Sequence, residues 1–182
     1  MTILHVLGGP APEVEAEFAP LIAALSHAGL DQACALYPEC ASTSRLRAAG
    51  VQLTVQPFGG LFDLKTAPAL ATFARAVHAR VVVQWRAADQ RVLPKGNWAR
   101  LGRCGARAEL KPFAGSDYLV FPDKAALDAA AAAGWAATRA LIIPQFQAFA
   151  AVGDEALDKS ALAAEEHALQ LWRGLLSRFG EV

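Results

Sequence analysis

The chain has 182 residues, 17 Lys and Arg balanced by 17 Asp and Glu, and a hydrophobic fraction of 54%. A length of this order suits one domain that buries roughly 70% of its unfolded surface, and the zero net charge argues against general nucleic-acid binding. No apolar run approaches the roughly 18 residues that cross a bilayer, and the start Met1-Thr2-Ile3-Leu4-His5 lacks the basic region of a secretory signal, so a cytoplasmic chain is expected.

Thr2 to Leu7 is a short apolar run that ends in Gly8-Gly9-Pro10. From Glu13 to His27, Val14, Phe18, Leu21, Ile22 and Leu25 recur at helical intervals, and Ala28-Gly29 closes that helix. Gln32 to Tyr37 reads as the next strand, which makes the first unit βαβ and implies a parallel sheet. A short helix from Ser42 to Ala49, a strand of alternating Val51, Leu53 and Val55, and the loop Pro57-Phe58-Gly59-Gly60 follow. Thr66 is placed to cap a helix with Leu70, Phe73 and Val77 on its apolar face, and Arg80 to Trp85 is a nearly continuous apolar strand of the kind buried on both faces.

Asp117 to Phe121 predicts a fifth strand, Asp123 caps an alanine-rich helix running to Ala133, and Ala140 to Ile143 predicts a sixth. The expected fold is α/β: a Rossmann-like, doubly wound, mainly parallel sheet of about six strands, occupying residues 1–147. Residues 148–158 read as a linker, and an amphipathic C-terminal helix from Ser160 to Arg178 carries a stripe of Leu162, Leu169, Trp172, Leu175 and Leu176. Such a stripe needs a partner surface, either this domain or a second copy.

Gly8 and Gly9 follow the first strand, where missing side chains let a backbone approach a phosphate, or where a tight connection is all that is needed. The later glycines of a dinucleotide fingerprint are replaced by Pro10, Ala11 and Pro12. Gly59 and Gly60 lie in a loop after the third strand, as the lip of a cleft or as a plain turn. Trp85, Arg86 and Asp89 follow the fourth strand; they could serve as sugar platform, anion contact and general base, or as core and loop residues.

Between Arg86 and Lys111 seven basic residues face only Asp89 and Glu109. Arg100, Arg103, Arg107 and Lys111 would share one helical face and meet a phosphate or an anionic membrane surface, or simply solvent. The cysteines Cys34, Cys40 and Cys104 form no C-x-x-C pair, and neither a zinc site nor any other metal site is expected. The histidines His5, His27, His78 and His167 are read as structural.

The segments ILHVLGG, SHAGL, RLRAAGVQLTVQPFGG, VVVQW, LGRCGARAELKPFAGSDYLV and LIIPQF, in this order, resemble the N-terminal, acceptor-side domain of the retaining family 4 glycosyltransferases, which have the GT-B architecture. The resemblance covers about residues 2–147. It implies a nucleotide sugar as co-substrate with no other cofactor, a donor diphosphate approaching Gly8 and Gly9, and an acceptor facing Gln84 to Asp89. It also implies a C-terminal helix that returns to the first domain. The expected location is cytoplasmic, at the inner membrane face where the basic residues meet anionic lipid. The chain departs from the family in lacking a His in the acceptor loop, and no two glutamates are separated by seven residues, as a donor lobe requires. Two outcomes follow. The chain is an acceptor half completed by a donor-lobe protein, or it is a non-catalytic scaffold that holds lipid or another subunit.

Overall fold

The computed structural model describes residues 2–59, 63–105, 109–146 and 155–179. Strands β1 (Thr2–Leu7), β2 (Asp31–Leu36), β3 (Gln52–Val55), β4 (Ala79–Gln84), β5 (Ala99–Arg103), β6 (Tyr118–Phe121) and β7 (Ala140–Ile142) form one 7-stranded sheet in the order β3-β2-β1-β4-β5-β6-β7. Each neighbouring pair is parallel. Parallel neighbours need crossovers, and the helices α1 (Pro12–His27), α2 (Thr43–Ala48), α3 (Thr66–Ala76) and α4 (Lys124–Ala132) lie between the strands in sequence, with α5 (Glu155–Ser177) after β7.

Side chains alternate across a strand, so both sheet faces carry a core. Ile3 and Leu7 of β1 join Phe18, Leu21, Ile22 and Leu25 of α1, Leu46 of α2, and Trp172, Leu175 and Leu176 of α5. Leu4 and Val6 point the other way, to Leu70 and Ala74 of α3. Beyond them Ala126 and Ala130 of α4 cover Leu119 and Phe121 of β6. Local chemistry agrees with these elements: Pro12 needs no amide partner in the first turn of α1, and Gly29 closes that helix at φ +83°. Asp123 accepts the Ala126 N–H at 2.8 Å as the cap of α4.

Three expectations are corrected. The sheet has a seventh strand, β5, inside the basic stretch read as a helix; Gly102 weakens a helix, and Arg103 is neutralised by a distant partner described below. The N-cap of α3 is Lys65 and Thr66 is the first helical residue; the side chain that serves this end is Asp63, whose Oδ1 accepts the N–H groups of Lys65 and Thr66 at 3.1 and 2.9 Å. Helix α5 begins at Glu155, inside the expected linker, of which residues 148–154 lie outside the described residues. On α5, Trp172 is fully buried and Arg173 donates to the Ala28 carbonyl at 2.7 Å; just past its end, Phe179 meets the Tyr118 ring edge-on at 5.6 Å.

Candidate functional site

In an open parallel sheet, a crevice forms at the carboxyl ends of two adjacent strands whose connections leave toward opposite faces. The connection after β1 runs through α1 on one face, and the one after β4 places Val92 and Leu93 against α3 on the other, so that point lies between β1 and β4. Gly8, directly after β1, therefore meets the segment that follows β4. A 3₁₀ turn over Ala87–Val92 bends this segment so that Asp89 faces back across 81 residues of sequence.

The Gly8 N–H donates to Asp89 Oδ2 at 3.2 Å, and Arg86 Nη1 stands 3.5 Å from Asp89 Oδ1. Asp89 is 3% exposed and Arg86 25%. Burial pushes the Asp89 carboxyl up to about 6, against the opposing pull of the Gly8 N–H and the Arg86 charge. The pair sits on the wall of an open cleft of about 580 Å³, to which Phe58, Arg91 and Lys111 also contribute. Phe58 holds a left-handed φ of +45°, a conformation costly for a residue with a side chain.

Gly8 is needed because of these neighbours, and Gly9 leaves room for Arg86. A Cβ at Gly8 would lie 2.5 Å from Phe58 Cδ1 and 2.6 Å from Asp89 Oδ1; one at Gly9 would lie 2.4 Å from Arg86 Nη1. The turn makes room for the protein's own side chains. The start of α1 is a poor seat for an anion, since its first turn carries Glu13 and Glu15 and the Glu15 carboxylate already accepts the Ala11 N–H at 3.3 Å. The positive charge near this turn comes from Arg86.

Trp85 does not line this cleft. It is 3% exposed, packs edge-on to Phe18 at 5.1 Å, and donates its indole N–H to His5 Nδ1 at 3.1 Å. His5 Nε2 then pairs with Gln32 Oε1 at 2.8 Å, and burial holds the imidazole down at about 4, so it stays neutral. The sugar-platform reading of Trp85 gives way to its core alternative, although its edge also borders a pocket of about 350 Å³ beside Glu13, Cys104 and Asp123.

The four basic residues read as one helical face are dispersed. Arg103, on β5, is 5% exposed and grips Glu17 of α1 with two N–H groups, Nη2 to Oε1 at 2.7 Å and Nε to Oε2 at 3.2 Å. Its Nη1 donates to the Ile143 carbonyl at 2.8 Å, and the Phe146 N–H donates to Glu17 Oε1 at 3.1 Å. This bidentate pair is structural and closed to lipid. Arg100 is half-buried at the start of β5, its N–H bonded to Asp117 Oδ2 at 2.7 Å. Lys111, in a short 3₁₀ turn, is exposed and reaches the cleft. Arg107 and Gly60 lie outside the described residues, and the Gly59 N–H is bound to Asp63 Oδ2 at 2.8 Å.

The sequence reading passed over Phe58, Arg91 and Glu17. Arg91 was detectable as the next cation in the loop after β4, and Glu17 as an acid inside an otherwise apolar helix stripe; Phe58 had no such signal. Among the described residues, no three His, Cys, Asp or Glu side chains are placed to hold a metal, and no helix is long and apolar enough to cross a membrane.

No protein-family model and no curated protein matches the chain at a significant level. Solved structures do. HepE from Anabaena, in complex with UDP and glucose, is 17% identical with a TM-score of 0.54, over 80% of this chain and 44% of HepE. A glycosyltransferase from Rickettsia africae is 13% identical with a TM-score of 0.60, over 89% of this chain and 48% of its own. A putative UDP-N-acetylglucosamine 2-epimerase from Listeria monocytogenes is 15% identical with a TM-score of 0.55, over 76% and 43%. The likeness is one of fold. The neighbours are GT-B glycosyltransferases and UDP-sugar epimerases, and this chain spans a little under half the length of each.

Proposed function

We propose that this chain is the acceptor-side half of a GT-B glycosyltransferase, which transfers a sugar from a nucleotide sugar to a hydroxyl group. The observation that carries the reading is Asp89, a carboxyl almost wholly buried at the β1/β4 crevice yet standing on the wall of an open cleft. With its carboxyl raised to about 6, it is mostly ionised at neutral pH and basic enough to take a proton. As the acceptor oxygen bonds to the anomeric carbon, that carbon's bond to the nucleoside diphosphate breaks and the hydroxyl proton passes to Asp89. The Gly8 N–H orients the carboxylate, and Arg86 steadies its charge.

The matched solved structures are about twice as long as the part they share with this chain. On this reading the nucleotide sugar sits between this half and a donor-binding lobe, in a longer polypeptide or a separate protein, and stabilisation of the departing diphosphate comes chiefly from that lobe. An amide chemical-shift titration with UDP and UDP-glucose tests the reading. The resonances of Gly8, Gly9, Arg86 and Asp89 are expected to move together at millimolar ligand. An unchanged spectrum at that concentration would overturn the proposal.

A further inference from the structure

The cleft has an uneven charge. Among the described residues, Arg86, Arg91 and Lys111 line it against one carboxylate, that of Asp89, in a chain whose formal net charge is zero. Arg86 is already committed to Asp89 at 3.5 Å and leaves that acid electrically balanced. Arg91 and Lys111 are exposed and come from the segments after β4 and β5 respectively, so two separate connections each bring a cation into the lining of the cleft. Like charges on one concave surface raise its potential and repel one another until an anion lies between them.

Resting on the acceptor-side reading above, we infer that the acceptor carries a phosphoryl group beside its reactive hydroxyl, and that Arg91 and Lys111 hold that group while Asp89 receives the hydroxyl proton. A neutral acceptor would leave both cations unmatched. A phosphoryl group has acceptor oxygens enough for a guanidinium fork and an ammonium at once. The phosphoryl group has two natural sources, a soluble sugar phosphate or a phospholipid headgroup.

The experiment titrates the purified chain with glucose, glucose 6-phosphate and inorganic phosphate, reading the amides of Arg91, Lys111 and Asp89. In parallel it measures co-sedimentation with vesicles of phosphatidylglycerol or of phosphatidylcholine alone. Glucose 6-phosphate is expected to bind at least about tenfold more tightly than glucose, with affinity falling as salt rises. The double variant Arg91→Ala/Lys111→Ala should bind glucose 6-phosphate about tenfold more weakly. Its melting temperature should stay at the parent value, because both side chains are exposed. Arg80→Ala, at the opposite end of the sheet, should leave affinity unchanged.

Retention on phosphatidylglycerol but not phosphatidylcholine vesicles, abolished by the double variant, would identify the lipid as the source; saturation by glucose 6-phosphate alone would identify the soluble one. Equal binding of glucose and its phosphate, or a double variant that binds both anions like the parent, overturns the inference. UDP shifts at Gly8 and Gly9 without any response at Arg91 and Lys111 would sink it while leaving the transferase reading standing. A phosphoryl response without any UDP response would sink the transferase reading and, with it, the acceptor role, leaving only a phosphoryl-binding site at Arg91 and Lys111.

Discussion

Replacing Asp89 by Asn should make this protein more stable at neutral pH, which is unusual for a change at a well-buried polar group. A carboxyl moved from its ordinary 3.8 to about 6 by burial has its ionised form disfavoured in the folded chain by about 3 kcal/mol. At 3% exposure almost no solvent screening reduces that figure. Between pH 3.8 and 6 the folded chain holds more protons at this site than the unfolded chain, so stability falls as pH rises through that window and the full penalty is present at pH 7. Asn keeps a carbonyl oxygen for the Gly8 N–H and removes the buried charge. The gain should approach about 3 kcal/mol at pH 7, or about 6–12 °C in melting temperature for a domain of this size, and should vanish below about pH 4. Calorimetric melts of parent and Asp89→Asn at pH 4, 5, 6 and 7 measure it. Equal melting at pH 7, or a gain of the same size at pH 4, would refute the reasoning. On the reading proposed above, the same variant should also lose transfer activity in the completed enzyme, since an amide takes no proton.

Glu17→Gln should lower stability by about 3–5 kcal/mol in urea titration, because it leaves the Arg103 guanidinium buried without its counter-charge; the double change Glu17→Leu/Arg103→Met should recover much of that, and a single variant as stable as the parent would show the pair to be dispensable. Trp172→Ala should cost about 3–5 kcal/mol in thermal melts by opening a cavity under α5, whereas an unchanged melting temperature would mean that α5 adds nothing to the core. Gly9→Ala places a Cβ 2.4 Å from Arg86 Nη1 and should drive that flexible side chain off Asp89, raising the acid's titration midpoint further in a carboxyl NMR titration at little cost in stability. An unmoved midpoint would show that Arg86 does not act on it. Gly8→Ala meets the Phe58 ring as well as Asp89 and should cost about 1–3 kcal/mol from overpacking.

Much of the fold was legible because its signals are local. The apolar runs at Thr2–Leu7 and Ala79–Gln84, the helical spacing from Val14 to Leu25, and the Asp123 cap each act within a few residues. Strand β5 was hidden because Arg100 and Arg103 break its apolar run, and what makes a strand tolerable there is Glu17, 86 residues from Arg103. The burial of Trp85 left a readable trace, since Val81, Val83 and Trp85 alternate onto one core face. Its polar end needed His5, which pairs with it across 80 residues.

Sequence alone determined that strands alternate with helices into a parallel sheet, and that Gly8, Arg86 and Asp89 sit at strand ends, because periodicity and turn chemistry are written in neighbouring residues. Only the tertiary structure decided which charges cancel and which remain free. Arg103 is spent inside on Glu17, while Arg91 and Lys111 converge on the cleft with Asp89. Which cations end up paired depends on distances between segments remote in the chain, and those distances are set by strand order and packing, which no local pattern encodes.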